Sequence, residues 1–97
     1  MPLLDRFRRK KDDPEMARRA RLLSSGRIAE GSIVDIGGET DTGTFTQIFY
    51  RYEISGVEYE SSQALSHEQQ QRQMEYAPGA RITVRYDPHH PGNSIVV

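Results

Sequence analysis

Cysteine is absent from this 97-residue sequence, which removes disulfide staples, thiolate metal sites and thiol catalysis together. That absence fits a reducing cytoplasm. No apolar run approaches the roughly 20 residues needed to cross a bilayer. Leu3 and Leu4 give way at once to charged residues, so the hydrophobic region of a signal peptide is missing too. Hydrophobic residues are few, at 35% against 28% charged, which implies a modest core. Parts for catalysis are also scarce. The stretch Gly37-Gly38 to Gly43 has neither the lysine nor the following helix of a phosphate cradle. Ser24, Ser25, Ser61 and Ser62 have no evident neighbouring base. The expectation is a cytoplasmic protein that is not an enzyme and carries no cofactor.

Charge is present but unevenly placed. The formal net charge of −1 divides into nine basic and four acidic residues in 1–27, net +5, and four basic and ten acidic residues in 28–97, net −6. This is a basic arm on an acidic body. Polyanion binding needs clustered Lys and Arg, so the body is poorly suited to a phosphate backbone, and nucleic acid is an unlikely partner for it.

The pattern along the chain predicts three parts. Residues 1–13 read as a basic flexible arm. Residues 14–25 read as an amphipathic helix: Asp13 can cap it, Pro14 suits its first position, and Glu15 complements the dipole. Met16, Ala20 and Leu23 form a narrow apolar stripe that the helix is expected to lay on the domain, and Gly26 suits a left-handed terminator. Residues 26–97 read as a single β domain. Strands are predicted over 27–36, with a slip in alternation that suggests a bulge near Gly31, and over 44–55, where Ile48, Tyr50, Tyr52 and Ile54 alternate with Gln47, Phe49, Arg51 and Glu53. Ser55-Gly56 turns into a strand over 57–61. Ser66 and Gln69 form a capping-box pattern opening a short helix over about 67–75. Pro78-Gly79 makes a type II turn, 81–86 is a further strand, and a Pro-rich corner over 87–93 leads to a last strand over 94–97. The fold class is mainly β: a small antiparallel β-barrel or strongly curved sheet of about five strands, with an N-terminal helix and a short helix before the Pro-Gly turn.

Particular residues support a family resemblance. Leu22-Leu23, Gly26, Ala29, Gly31 and Ile33 open the domain, and Tyr50-x-Tyr52-x-Ile54-x-Gly56-x-x-Tyr59 follows. Tyr76-x-Pro78-Gly79-x-x-Ile82-x-Val84-x-Tyr86-Asp87-Pro88-x-x-Pro91 closes it. Over residues 22–97 the chain resembles the bacterial family catalogued as domain of unknown function 3592. Members of that family often carry transmembrane helices beside the soluble β domain, and the resemblance implies no catalytic role.

Candidate sites follow from what remains. Asp87, His89 and His90 have metal-ligand chemistry, but adjacent histidines point apart and a fourth ligand is not evident, so an exposed turn is the preferred reading. Glu53, Glu58 and Glu60 fall by parity on an outward face, where acids are simply solvated. Phe45 and Phe49 lie on the opposite parity to the buried residues of their strand and are the expected contacts for an unidentified protein partner. Leu3, Leu4, Arg6, Phe7, Arg8, Arg9, Lys10 and Lys11 are the expected contacts for an anionic membrane or other polyanion. The expected function is a non-catalytic protein-interaction or structural accessory module. The alternative is a peripheral accessory protein at the inner face of the membrane, tethered by the basic segment.

Overall fold

The computed structural model describes residues 14–97, and the contacts expected of Leu3 through Lys11 lie outside them. Helix α1 (Pro14–Ser25) starts at the predicted proline. Its docking differs from expectation. Met16, Ala20 and Leu23 face solvent, with Met16 67% and Leu23 49% exposed. The face laid on the barrel is instead Glu15, Arg18, Arg19 and Leu22, which share the same helical spacing. Leu22 is its one buried residue. The reason is hydrogen bonding: Arg18 Nη1 donates to Asn93 Oδ1 at 2.7 Å and to the Ser94 carbonyl at 3.1 Å. Arg19 Nη2 reaches the Ala64 carbonyl at 3.3 Å. Gly26 also differs, because it is not left-handed. A side chain there would collide with the Leu22 carbonyl and press on that of Tyr86 at 3.2 Å, so glycine serves close packing rather than helix termination.

Five strands follow: β1 (Arg27–Gly37), β2 (Gln47–Ile54), β3 (Val57–Ala64), β4 (Arg81–Asp87) and β5 (His90–Val96). Between β3 and β4 lie helix α2 (His67–Gln71) and a 3₁₀ turn (Gln73–Tyr76). The predicted capping box is formed, with Gln69 N–H on Ser66 Oγ at 3.1 Å and Ser66 N–H on Gln69 Oε1 at 3.0 Å. At the β2–β3 reversal both Ser55 and Gly56 have positive φ, 52° and 84°, as a two-residue type I′ hairpin requires. The last strand begins earlier than the sequence suggested. Asp87 pairs with His90 across a tight turn, and the Asp87 carboxylate accepts from the His89 N–H at 2.8 Å.

The strand order is β3-β2-β1-β4-β5, with every neighbouring pair antiparallel. The two outer strands, β3 and β5, therefore run in the same direction, and the sheet curls until they meet. The result is a nearly closed barrel. Its long central strand β1 pairs with β4 through its first half and with β2 through its second. The strand order and the helix between β3 and β4 are those of a five-stranded Greek-key barrel of the oligonucleotide- and oligosaccharide-binding type.

Alternation on β2 holds. Ile48, Tyr50 and Tyr52 are buried inside, while Gln47, Phe49, Arg51 and Glu53 face out. Ile33, Leu65, Tyr76, Ile82, Val84 and Val96 complete most of the interior. Tyr52 stacks between Tyr50 and Tyr59, with ring centroids 5.9 and 5.5 Å away. The bulge sits at Val34, not near Gly31. Ile33 pairs with Tyr50 and Asp35 with Phe49, leaving Val34 without an opposite residue. Gly31 has a different task. It opposes Tyr52 and Ile82 on the inner face, where a Cβ would press on Val84 at 3.1 Å and Tyr52 at 3.3 Å. Its bareness lets the strands bend tightly over the core.

Candidate functional site

Phe45 and Phe49 part company in the structure. Phe45 is 5% exposed and belongs to the central core, so the expectation that it forms an outer contact is corrected. The regular strand begins only at Gln47, and alternation cannot be extended back to residue 45. The loop before β2 turns the Phe45 ring inward, where its N–H also donates to Gln73 Oε1 at 3.2 Å. Phe49 is on the outer face at 39% exposure, paired with Asp35 on one side and Ser62 on the other.

The residue that keeps Phe49 company was not singled out in the sequence. Val34, displaced by the bulge, is 46% exposed and lies beside Phe49. Together with Glu60, Ser61 and Ser62 they line a shallow hollow of about 340 Å³ on β1–β3. The Phe49 ring also lies over Gly37, where an added Cβ would meet its edge at 3.3 Å. The signal for Val34 was the pair Ile33-Val34, since two consecutive apolar residues in a regular strand cannot both face the core.

A second outer groove, of about 410 Å³, lies further along the same strands. Glu30, Ser32, Arg51, Glu53, Glu58 and Arg81 line it. Ser32 is paired with Arg51 on β2 and Arg81 on β4, so the outer face carries an arginine on each side of it. Arg51 also contacts Glu58 at 3.6 Å, an exposed pair of the kind that contributes little to stability. Glu53, Glu58 and Glu60 face outward, as their parity predicted, and all are exposed. The groove alternates in sign and offers complementarity to a mixed-charge surface rather than a concentrated field.

Elsewhere the titratable groups are structural. Hydrogen bonds from Arg18 hold the Glu15 carboxyl below its ordinary range, with Arg19 adding to the effect. Burial pushes the Tyr52 phenol up, and its hydroxyl donates to the Pro91 carbonyl at 2.6 Å. His89 and His90 are exposed on the β4–β5 turn. Among the described residues no group of three or more His, Asp or Glu side chains is placed to hold a metal ion. Nor is any described helix long and apolar enough to cross a membrane.

No curated protein and no solved structure matches the chain. The opening Leu-Gly-Ile pattern, the tyrosine ladder of β2 and the Pro-Gly to Asp-Pro closure are now seen to build one nearly closed barrel. Over residues 24–97 the chain matches the family described as Domain of unknown function (DUF3592), and it belongs to that family.

Proposed function

We propose that this protein is a non-catalytic interaction module of the cytoplasm, whose barrel binds a protein partner through the outer face of β1–β3. The observation that carries this reading is the adjacency of Val34 and Phe49. A bulge exposes one beside the other, over a hollow rimmed by polar groups. An apolar centre with a polar rim is the anatomy of a protein contact. Aromatic anchors of this kind carry much of the binding energy where they are desolvated.

The same face speaks against nucleic acid. Barrels of this topology bind oligonucleotides on the β2–β3 face, between the β1–β2 and β4–β5 loops. Here that face presents Glu53, Glu58 and Glu60 against a single Arg51, and the β4–β5 connection is only a tight turn. A single strand would meet repulsion where it needs cations.

A photo-crosslinking amino acid at position 49 of the full chain tests the proposal. One discrete adduct in living cells is expected from position 49, and none from a control at the more exposed position 74. Equal adduct patterns from both positions would sink the reading.

One observation favours a second reading. The exposed stripe of Met16, Ala20 and Leu23 directly follows the basic segment in sequence, a composition suited to an anionic membrane surface. Co-sedimentation of the full chain with anionic but not neutral vesicles, abolished by Met16→Ser with Leu23→Ser, is the outcome this reading requires.

A further inference from the structure

The edge strand β3 leaves a row of main-chain groups open. Ser55-Gly56 closes a two-residue hairpin, so Ile54 and Val57 exchange main-chain hydrogen bonds, and every second pair along β2–β3 does the same. Val57, Tyr59, Ser61 and Gln63 therefore point their N–H and C=O groups at β2. Glu58, Glu60, Ser62 and Ala64 point theirs away from it. The Leu65 N–H on the Thr46 carbonyl, at 2.8 Å, continues the same alternation.

Side chains cover this margin at the seam with β5 and leave it bare further along. Arg19 donates to the Ala64 carbonyl. On β5, Tyr52 takes the Pro91 carbonyl, Arg18 takes that of Ser94, and Gln63 and Gln69 take the polar groups of Val96. Among the described residues nothing bonds to the N–H or C=O of Glu58, Glu60 or Ser62, and β3 pairs with β2 alone. All three residues are exposed. Such an edge is a template for a further strand.

Charge selects the occupant. Glu58 and Glu60 stand on the outer face of the edge, and Glu53 lies opposite Glu58 on β2. If a second copy paired its β3 here about a two-fold centred at Tyr59, Glu58 of each chain would face Glu60 of the other. Like charges directly opposite are destabilising, so the edge repels its own kind. A strand with basic residues at those places meets its complement. The position opposite Ser62 has another character. Phe49 lies across Ser62 on β2, two strand spacings or about 9.6 Å from an added residue, within reach of a long apolar side chain leaning over the serine.

We propose that β3 accepts an extended segment of a protein partner as a sixth, antiparallel strand. The segment has the pattern apolar-x-basic-x-basic, set opposite Ser62, Glu60 and Glu58 in that order. This rests on the reading of the β1–β3 face as the partner surface and names the partner's chemistry. Main-chain bonds hold the segment, the two acids choose it by charge, and Phe49 receives its apolar residue. Antiparallel addition continues the alternation of every other strand pair in the barrel.

The probe is the capped peptide Leu-Thr-Lys-Thr-Lys, titrated into the full chain. Amide exchange at Glu58, Glu60 and Ser62 is expected to slow several-fold, while Tyr59 and Ser61, already bonded to β2, keep their rates. The same peptide N-methylated at both lysines keeps its charge, loses the pairing donors and should protect nothing. Glu60→Lys should weaken the unmodified peptide several-fold. Glu60→Pro should block it by removing an outward N–H that no internal bond uses. Equal binding of the two peptides, or protection elsewhere on the barrel, would overturn the inference. Protection that grows with protein concentration in the absence of peptide would overturn it too, because the occupant would then be a second copy. If the peptide fails while position 49 still gives its adduct in the Glu60→Pro chain, the proposed function survives without strand addition. Protection by the peptide with no adduct from position 49 would uphold β3 as an acceptor edge and remove the cellular partner from the Phe49 face.

Discussion

The side-chain amide of Gln63 meets both main-chain polar groups of Val96. Its Oε1 accepts from the Val96 N–H at 2.9 Å, and its Nε2 donates to the Val96 carbonyl at 3.2 Å. A second amide, Gln69 Nε2, reaches the same carbonyl at 3.1 Å. Gln63 stands on β3 and Val96 on β5, the two strands that meet where the barrel curls round. One side chain thus does the work of a peptide group across the seam, and α2 supplies a further donor from above. Both glutamines are buried, so these bonds are shielded from competing water.

Replacing Gln63 with Leu keeps the volume and removes both of its bonds to Val96. The Val96 N–H then loses its bond, while its carbonyl retains Gln69. Leaving one buried donor unmet is expected to cost about 1–3 kcal/mol. Urea denaturation of the Gln63→Leu variant measures it, and hydrogen exchange at Val96 should accelerate far more than exchange at Ile48. Unchanged exchange at Val96 would show that the seam is closed by something else.

Phe45 and Phe49 should separate cleanly on substitution. Phe45→Ser empties part of the core and is expected to destabilise by about 3–5 kcal/mol, the range for truncating a buried aromatic. Phe49→Ser removes a ring from the surface and should stay within about 1 kcal/mol of the parent. Thermal unfolding of the two single variants decides this. Similar losses in both would mean that Phe49 is covered in solution.

The contrast between these two rings shows how much was legible in the sequence. Ile48, Tyr50 and Tyr52 could be assigned to the interior because a regular strand alternates, and Gln69 to a capping box because the local spacing sets it. The helix over 14–25, the hairpin at Ser55-Gly56 and the turn at Pro78-Gly79, where Gly79 has φ of 89°, were readable for the same reason. Each is decided by neighbours in sequence. What was misplaced depends on distant partners. Phe45 precedes the regular strand, so its direction is set by the core it meets. The bulge was put near Gly31 because a glycine breaks a pattern, whereas Gly31 actually yields space to Val84 and Tyr52 from two neighbouring strands. The inner face of α1 was assigned to its apolar stripe. The barrel instead offers carbonyls at Ser94 and Ala64, and these select Arg18 and Arg19.

That selection makes the attachment of α1 acid-sensitive. The Glu15 carboxylate accepts from Arg18 Nη2 at 2.6 Å and from Arg19 Nε at 3.1 Å, orienting both toward the barrel. Its folded pKa lies below the ordinary value, so its contribution is present above the unfolded pKa and lost as pH falls through the folded one. The group is half-exposed, and the effect on global stability is small. Local exchange is the better readout. Amides of 18–25 should lose protection as pH drops below the normal glutamate range, and Glu15→Gln should show the same loss already at neutral pH. Arg18→Ala should release the helix at every pH while β2 keeps its protection.

Tyr52 supplies the opposite sign at the alkaline end. Its ring is stacked between two other tyrosines, its hydroxyl is bonded to the Pro91 carbonyl, and burial raises its pKa above the ordinary tyrosine value. The folded state therefore keeps a proton that the unfolded chain releases. Stability from this group is fully present below about pH 10, the ordinary tyrosine value, and declines as pH rises from there through the folded pKa. Tyr52→Phe removes the titration but leaves the Pro91 carbonyl without its donor, at a cost of about 1 kcal/mol near neutral pH. The stability curves of parent and variant should converge as the solution is made alkaline, because only the parent loses stability through this site. Equilibrium urea unfolding from pH 7 to 11 measures that convergence. A constant gap across the series would place the alkaline sensitivity on another group.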